Sequence, residues 1–352
     1  MSGWVRATRE ALGRTAFVAA VVAVVAGIAG VASGLGEADR PRTFAVLIAT
    51  WLFFAGLTAG ALAVRALFAI VDARWARPLV APAGALLGFA PVALGLLVVI
   101  LLGAGSWLRA DAGSAWMSST AVAIRELALT SALFGCGFLS RSPARTRRFA
   151  TGYLIAFGIV GSLWAFDLVL GADATFESTL IGVFVFASAF CAATALVILL
   201  GVRRDLLAEK ARRDAGALVV ALAIFWAYLF WSQYLTIWYG NLPDEVAFAL
   251  RRAEGGWGVV VLAVIGLVFA TPFALLLHPA GRRSVRILRA ALGTQLFGFW
   301  LACELLIVPS LTPGDAPVIA IRDVLVALGM CGAFALSVAR GLMTSFPERK
   351  NL

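Results

Sequence analysis

Read for its hydrophobic and polar positions, the chain is a succession of long apolar runs broken by short stretches of Pro, Gly and Arg. The runs fall at about 15–35, 44–71, 79–103, 117–139, 150–170, 178–201, 215–240, 257–277, 287–308 and 318–341. At a rise of ~1.5 Å per residue, ~20 residues match the ~30 Å hydrocarbon core of a bilayer. The pattern predicts ten transmembrane helices in one polytopic domain over residues 1–352. No soluble domain, low-complexity linker or convincing internal repeat interrupts it. The first run exceeds the apolar region of a signal peptide and leads to no small-residue cleavage site, so it is expected to be a mature span.

Composition agrees with this reading. The chain is 62% hydrophobic and 14% charged, against roughly 45–50% and 25% for soluble domains. That leaves too little polar surface to cover a water-soluble globule. The net charge of +10 is carried almost wholly by Arg, since Lys210 and Lys350 are the only lysines. A basic chain raises the question of nucleic acid. Here the arginines cluster between apolar runs, which is membrane topology rather than a phosphate-binding groove.

With the N-terminus inside, the inner connections carry Arg6, Arg9 and Arg14; Arg65, Arg74 and Arg77; Arg141, Arg145, Arg147 and Arg148. They continue with Arg203, Arg204, Lys210, Arg212 and Arg213; Arg282, Arg283, Arg286 and Arg289; and Arg340, Arg349 and Lys350. The outer ones hold only Arg40, Arg42, Arg109, Arg251, Arg252 and Arg322, with acids at Glu37, Asp39, Asp173, Glu177, Asp244, Glu245 and Asp315. The alternation predicts both termini on the cytoplasmic side.

Cofactor chemistry is narrowly bounded. Cys136, Cys191, Cys303 and Cys331 lie singly in apolar runs and form no CxxC pair, so they read as small apolar side chains. His278 is the only histidine, and a bis-histidine haem needs two. The chain alone is expected to bind no haem, iron–sulfur cluster or zinc.

Several groups are expensive in a membrane. Arg125 and Glu126 lie in the fourth run ("AVAIRELALTSALF"), Asp167 in the fifth and Glu304 in the ninth ("LACELLIVP"), while Arg322 and Asp323 open the tenth. A charge near a helix centre costs ~2.5–3.5 kcal/mol on insertion scales. Under the topology above, Arg125, Glu126, Asp167, Gln233 and Glu304 all fall in the middle or outer part of the membrane. Such acids must pair, take up a proton or touch water. They are either interhelical glue, with Arg125 neutralising one acid, or parts of a proton relay or quinol headgroup site.

The seventh run ends in "FWAYLFWSQYLTIWYGNLPDE", Phe225 to Glu245. At ~100° per residue, Tyr228, Ser232, Thr236 and Tyr239 share one side, and Trp226, Phe230 and Gln233 the other. Polar groups on both sides predict a central helix rather than a lipid-facing one. Tyr228, Ser232 and Gln233 are candidates for hydrogen bonds to water or a headgroup. Trp238 and Tyr239 suit an interface belt, and Pro243 stops the helix. Asn241, Asp244 and Glu245 exceed what an anchor needs and are expected beneath a partner subunit.

This string resembles the smaller quinol-dehydrogenase-like membrane subunit of bacterial alternative complex III (ActF type), in the polysulfide-reductase-like superfamily. That pattern reads aromatic-Trp-Ala-Tyr, then Ser-Gln, then Ile-Trp-Tyr-Ala-Asn-Leu-Pro-Glu-Glu. "LRRAEGGW", "TPFALLL", "AIRELAL" and "FDLVLGADATFESTLIG" are similar to further segments in the same order. Departures are Gly240 for Ala, "VLGADATFEST" for a Met-Ser-Leu-x-Pro-x-Trp segment, Glu304 where Asp is expected, and trimmed loops. The resemblance implies ten helices in two four-helix bundles flanked by the first and last helix, in the bacterial cytoplasmic membrane. It implies a larger homologous membrane subunit, an iron–sulfur subunit and cytochrome c subunits as partners, with haem c and iron–sulfur clusters on those partners and a quinone as a candidate ligand. A secondary transporter and a purely structural anchor are the competing readings.

Overall fold

The computed structural model of the chain describes residues 3–36, 39–109, 114–139, 147–173, 175–312 and 318–345. Of the charges discussed above, Glu37, Arg141, Arg145, Asp315, Arg349 and Lys350 lie outside the described residues. The described residues contain no strand, and ten helices are long and apolar enough to cross a membrane. They are Arg14–Ser33, Arg40–Ile70, Arg74–Leu102, Ser119–Leu139, Arg147–Leu170, Leu180–Arg203, Glu209–Gly240, Trp257–Leu276, Val285–Leu311 and Ile321–Ser345, the first to tenth spans below. The protein is an all-α integral membrane protein.

Several helices begin before their apolar run. The seventh opens with Glu209, Lys210, Arg212 and Arg213, and the fifth with Arg147 and Arg148. Long basic side chains extend a helix into the headgroup region without burying charge. The third span is a relay of 3₁₀ and α segments because Pro78, Pro82 and Pro91 each remove a backbone donor. The fifth and eighth spans each carry a π-helical turn, at Ala165–Leu170 and Gly266–Ala270. Two amphipathic helices lie outside the spans, Gly3–Leu12 and Pro243–Ala253.

Spans two to five pack as one ring of four, and spans six to nine as a second. The rings meet through the second span, which packs on the sixth and ninth, and through the fifth, which packs on the sixth. The first and last spans pair with each other, and the last lies against the second and third. A side chain at Gly27 would place its Cβ 2.6 Å from the Gly329 Cα, so only glycine allows this approach. At the bundle interface, a Cβ on Gly60 would stand 2.7 Å from the Ala189 carbonyl oxygen.

Tryptophans tie each bundle together. Trp51 of the second span donates to the Ala93 carbonyl of the third at 2.8 Å, and Trp164 of the fifth donates to Thr130 Oγ1 of the fourth at 2.9 Å. Their rings meet edge-on at 5.2 Å, so one aromatic pair joins four helices. In the second bundle Trp226 donates to Ser188 Oγ at 2.9 Å and meets Phe299 of the ninth span edge-on.

The two ends of the bundle differ in charge. At one end arginines outnumber acids, and contacts such as Arg289 to the Val202 carbonyl and Arg283 to Glu209 join the connections. At the other end Arg42, Arg125, Arg251 and Arg322 each meet an acid: Asp323, Asp167, Asp173 and Asp39.

Candidate functional site

The deepest acidic cluster sits in the first bundle, toward the arginine-poor end. The π turn of the fifth span carries Asp167, whose side chain is 0% exposed. Arg125 of the fourth span grips it with two bonds: Nε donates to Oδ2 and Nη2 to Oδ1, each at 2.7 Å. This fork-to-fork geometry fixes both oxygens of the carboxylate. Arg125 Nη1 also donates to the Trp116 carbonyl at 3.2 Å, and the guanidinium lies 4.0 Å from the centre of the Trp116 ring. Trp116 is exposed, so the cluster reaches the surface along this side chain.

Glu126 is the unusual member. It is 1% exposed, and no donor group of the chain meets either carboxyl oxygen. Asp167 and Arg125 are the charged groups that act on it. Asp167 is already held by Arg125 through both oxygens. Two carboxylates cannot both stay charged in an apolar pocket beside one guanidinium, so contact between the two acids requires a proton between them.

Glu304 stands apart from this cluster. It accepts a hydrogen bond from Thr50 Oγ1 of the second span at 3.1 Å. With Trp300 it lines a hollow of about 10 Å³ that also touches Asp323. That is room for about one water, and the Trp300 indole N–H has no partner in the chain. Asp323 takes Arg42 at 2.5 Å and the Ala320 N–H at 2.8 Å, closing the first turn of the tenth span.

The seventh span divides its polar residues between two environments. Gln233 points inward, where its Oε1 accepts from Ser178 Oγ at 2.9 Å. Tyr228 and Tyr239 are 64% and 85% exposed, and Ser232 is half-buried with no hydrogen bond to another side chain. The expectation of a central seventh helix is therefore corrected: one side faces the bundle and the other faces out. Polarity on the outer side comes mainly from tyrosines, whose rings tolerate an apolar surround. The structure thus does not gather Tyr228, Ser232, Gln233, Glu304 and the Glu126 cluster into one pathway.

The string after Ile237 has a local structural account. Asn241 adopts the left-handed conformation at φ 47° and ends the helix. Pro243 then occupies the first turn of Pro243–Ala253, with Asp244 and Glu245 beside it, where the positive end of the helix dipole favours acids. Asn241 and Asp244 are exposed and Glu245 half-buried.

A second polar cluster escaped the sequence reading. Pro309 cannot donate to the Leu305 carbonyl one turn earlier. Arg252, from the helix Pro243–Ala253, fills the gap: Nε donates to the Leu305 oxygen at 2.9 Å and Nη2 to the Leu306 oxygen at 2.6 Å. Nη2 also donates to Ser310 Oγ at 2.8 Å, and Ser310 donates to Asp173 Oδ2 at 2.8 Å. Arg251 bonds the same Asp173 oxygen at 2.5 Å. Burial pushes the Asp173 carboxyl up, but Ser310, Arg251 and Thr175 together hold it below the usual carboxylate range. A proline four residues after a carbonyl was the available signal. The same device recurs in the eighth span, where Pro272 frees the Val268 carbonyl and Gln295 Nε2 donates to it at 3.1 Å.

Among the described residues no group of three or more His, Cys, Asp or Glu side chains stands together as a metal site. Compared with known proteins, the chain matches no family model, and no curated sequence is significantly similar to it.

Proposed function

We propose that the chain is the smaller membrane subunit of a quinol:electron-acceptor oxidoreductase of the alternative complex III type, and that its own part is to hold and pass a proton beside the quinol-oxidising machinery. The carrying observation is Glu126, buried without a donor next to an Asp–Arg pair. Purely structural acids are matched by donors, as Asp173 and Asp323 are here. Glu126 is not matched, and a carboxyl that carries its own proton in an apolar bundle is a proton store. Asp167, gripped through both oxygens by Arg125, is the neighbouring carboxyl group. Arg125 and Trp116 give the route to the arginine-poor face, which we assign to the outside by the excess of arginine at the other end.

The sequence resemblance supports the redox assignment, with the larger membrane subunit, the iron–sulfur subunit and cytochrome c subunits as partners in a bacterial cytoplasmic membrane. A transporter of the inverted-repeat type would expose unwound backbone at mid-membrane. The carbonyls freed here by Pro272 and Pro309 are instead occupied by Gln295 and Arg252.

The test is purification in mild detergent followed by turnover of the assembled complex. Redox subunits should co-purify, and Glu126→Gln should cut proton release at least about tenfold, in line with loss of a proton-transfer group, while assembly survives. Retention of full quinol oxidation and full proton release by both Glu126→Gln and Asp167→Asn would make these acids structural glue.

A further inference from the structure

The helix Pro243–Ala253 roofs a cavity of about 350 Å³ in the second bundle, at the arginine-poor end. Its walls are apolar and aromatic, with Phe230, Trp238 and Phe248 among them. Its polar lining consists of Gln233, Tyr234, Asn241 and Arg252, and no acidic side chain borders it. Gln233 uses its oxygen on Ser178, which turns its NH₂ group into the free end. The Arg252 guanidinium lies 3.2 Å from the centre of the Phe248 ring and is 6% exposed. Arg251 and Arg252 share one acid, Asp173, so the cluster keeps one positive charge in excess. Of the five guanidinium N–H groups of Arg252, four are spent on the Leu305, Leu306 and Phe248 carbonyls and on Ser310. One remains.

The cavity therefore offers donors and a positive charge, which match an anion with several acceptor oxygens. Its apolar walls and its position at a helix end say that the anion arrives on an apolar carrier. The rim supplies the exit: Tyr234 and Trp238 line the cavity yet are 46% and 64% exposed, at the level where a lipid headgroup meets its chains.

We infer that this cavity is a binding site for the phosphate of an anionic phospholipid, seated between Arg252 and Gln233 under the helix Pro243–Ala253, with its acyl chains leaving past Tyr234 and Trp238. The lipid would hold this helix on the end of the ninth span at the proline-opened turn. The inference is independent of the redox reading, because it uses neither Glu126 nor any partner subunit.

The experiment is native mass spectrometry of the full chain after delipidation in mild detergent. Phosphatidylglycerol, phosphatidylcholine, a short-chain quinone or inorganic phosphate is then added back. One phosphatidylglycerol per chain should be retained, with an affinity about tenfold above that for phosphatidylcholine, as expected for one charge-assisted contact. Ala249→Trp should abolish retention by filling the cavity, since Ala249 is part of its wall. Gln233→Leu should weaken it about three- to tenfold, by loss of one donor. Arg252 itself is left intact because it also caps the ninth span. Equal retention of the two lipids, preferential retention of the quinone, displacement by inorganic phosphate alone, or indifference to Ala249→Trp would each overturn the inference.

Discussion

Arg125→Met removes the guanidinium from Asp167 and leaves everything else of that side chain's length in place. Asp167 has no exposed side-chain surface and loses two 2.7 Å bonds at once. An uncompensated buried charge of this kind destabilises by about 3–5 kcal/mol. The escape is to protonate Asp167, which at pH 7 costs about 4 kcal/mol for a group whose free pKa is ~3.9. Both routes give the same answer, and loss of the stacking on Trp116 adds roughly 0.5–1 kcal/mol. Arg125→Met with Asp167→Leu removes both charges and should cost no more than about 1–2 kcal/mol, because a neutral pair of similar volume needs no compensation. The assay is unfolding of detergent-purified protein in sodium dodecyl sulfate, followed by fluorescence of the 11 tryptophans. The single variant should regain about 2–3 kcal/mol between pH 7 and pH 5, where protonation becomes cheaper, and the double variant should not. A single variant that loses under about 1 kcal/mol, or one that tracks the double variant at both pH values, refutes the reasoning.

Asp173 is held below the usual carboxylate range, so its contribution to stability is full above the ordinary value of 3.8 and is lost as pH falls below it. The gap between melting curves of wild type and Asp173→Asn should be constant between pH 7 and 5 and narrow as pH falls below 3.8; a gap that does not narrow would contradict this. Gly329→Val forces apart the first and last spans, whose backbones touch at Gly27, and should cost about 1–3 kcal/mol in the same unfolding assay. Wild-type stability in that variant would mean the pair is loosely held. Gln295→Leu orphans the Val268 carbonyl and should cost about 1–3 kcal/mol. Adding Pro272→Ala restores a backbone donor at the right spacing, and no recovery in the double variant would show that proline is not what opens the turn. A reporter fused after Ser345 should lie on the cytoplasmic side, and an outside location overturns the assigned orientation.

The spans were legible because their signal is composition summed over some twenty residues, which no local detail can erase. The alternation of arginines adds an expected direction for each, which the reporter fusion tests. Arg125 with Asp167 was half visible: a buried arginine needs an acid, but several stood within reach, and only the π turn at Ala165–Leu170 says which one it meets. Arg252 was hidden for the opposite reason. It sits in a connection, where an arginine reads as topology, and its partners are backbone carbonyls that carry no sequence mark beyond Pro309. The seventh span misled because angular position separates two sides of a helix without saying which one is covered. Tyr228 and Gln233 look equally polar on a wheel, yet one is 64% exposed and the other bonds to Ser178 inside the bundle.

The second span carries a further consequence. Of its most apolar stretch, 94% is enclosed by other helices, and it packs on the third, fifth, sixth, ninth and last spans. Synthesis runs from the N-terminus, so this helix enters the bilayer before most of the helices that will cover it exist. Until then Arg42 lacks Asp323, Thr50 lacks Glu304, and the notch at Gly60 meets lipid instead of Ala189. The helix that finishes at the centre of the protein therefore starts at its edge, with most of its cover still unmade. During that interval any other helix that reaches the same surface competes with the sixth and ninth spans for it.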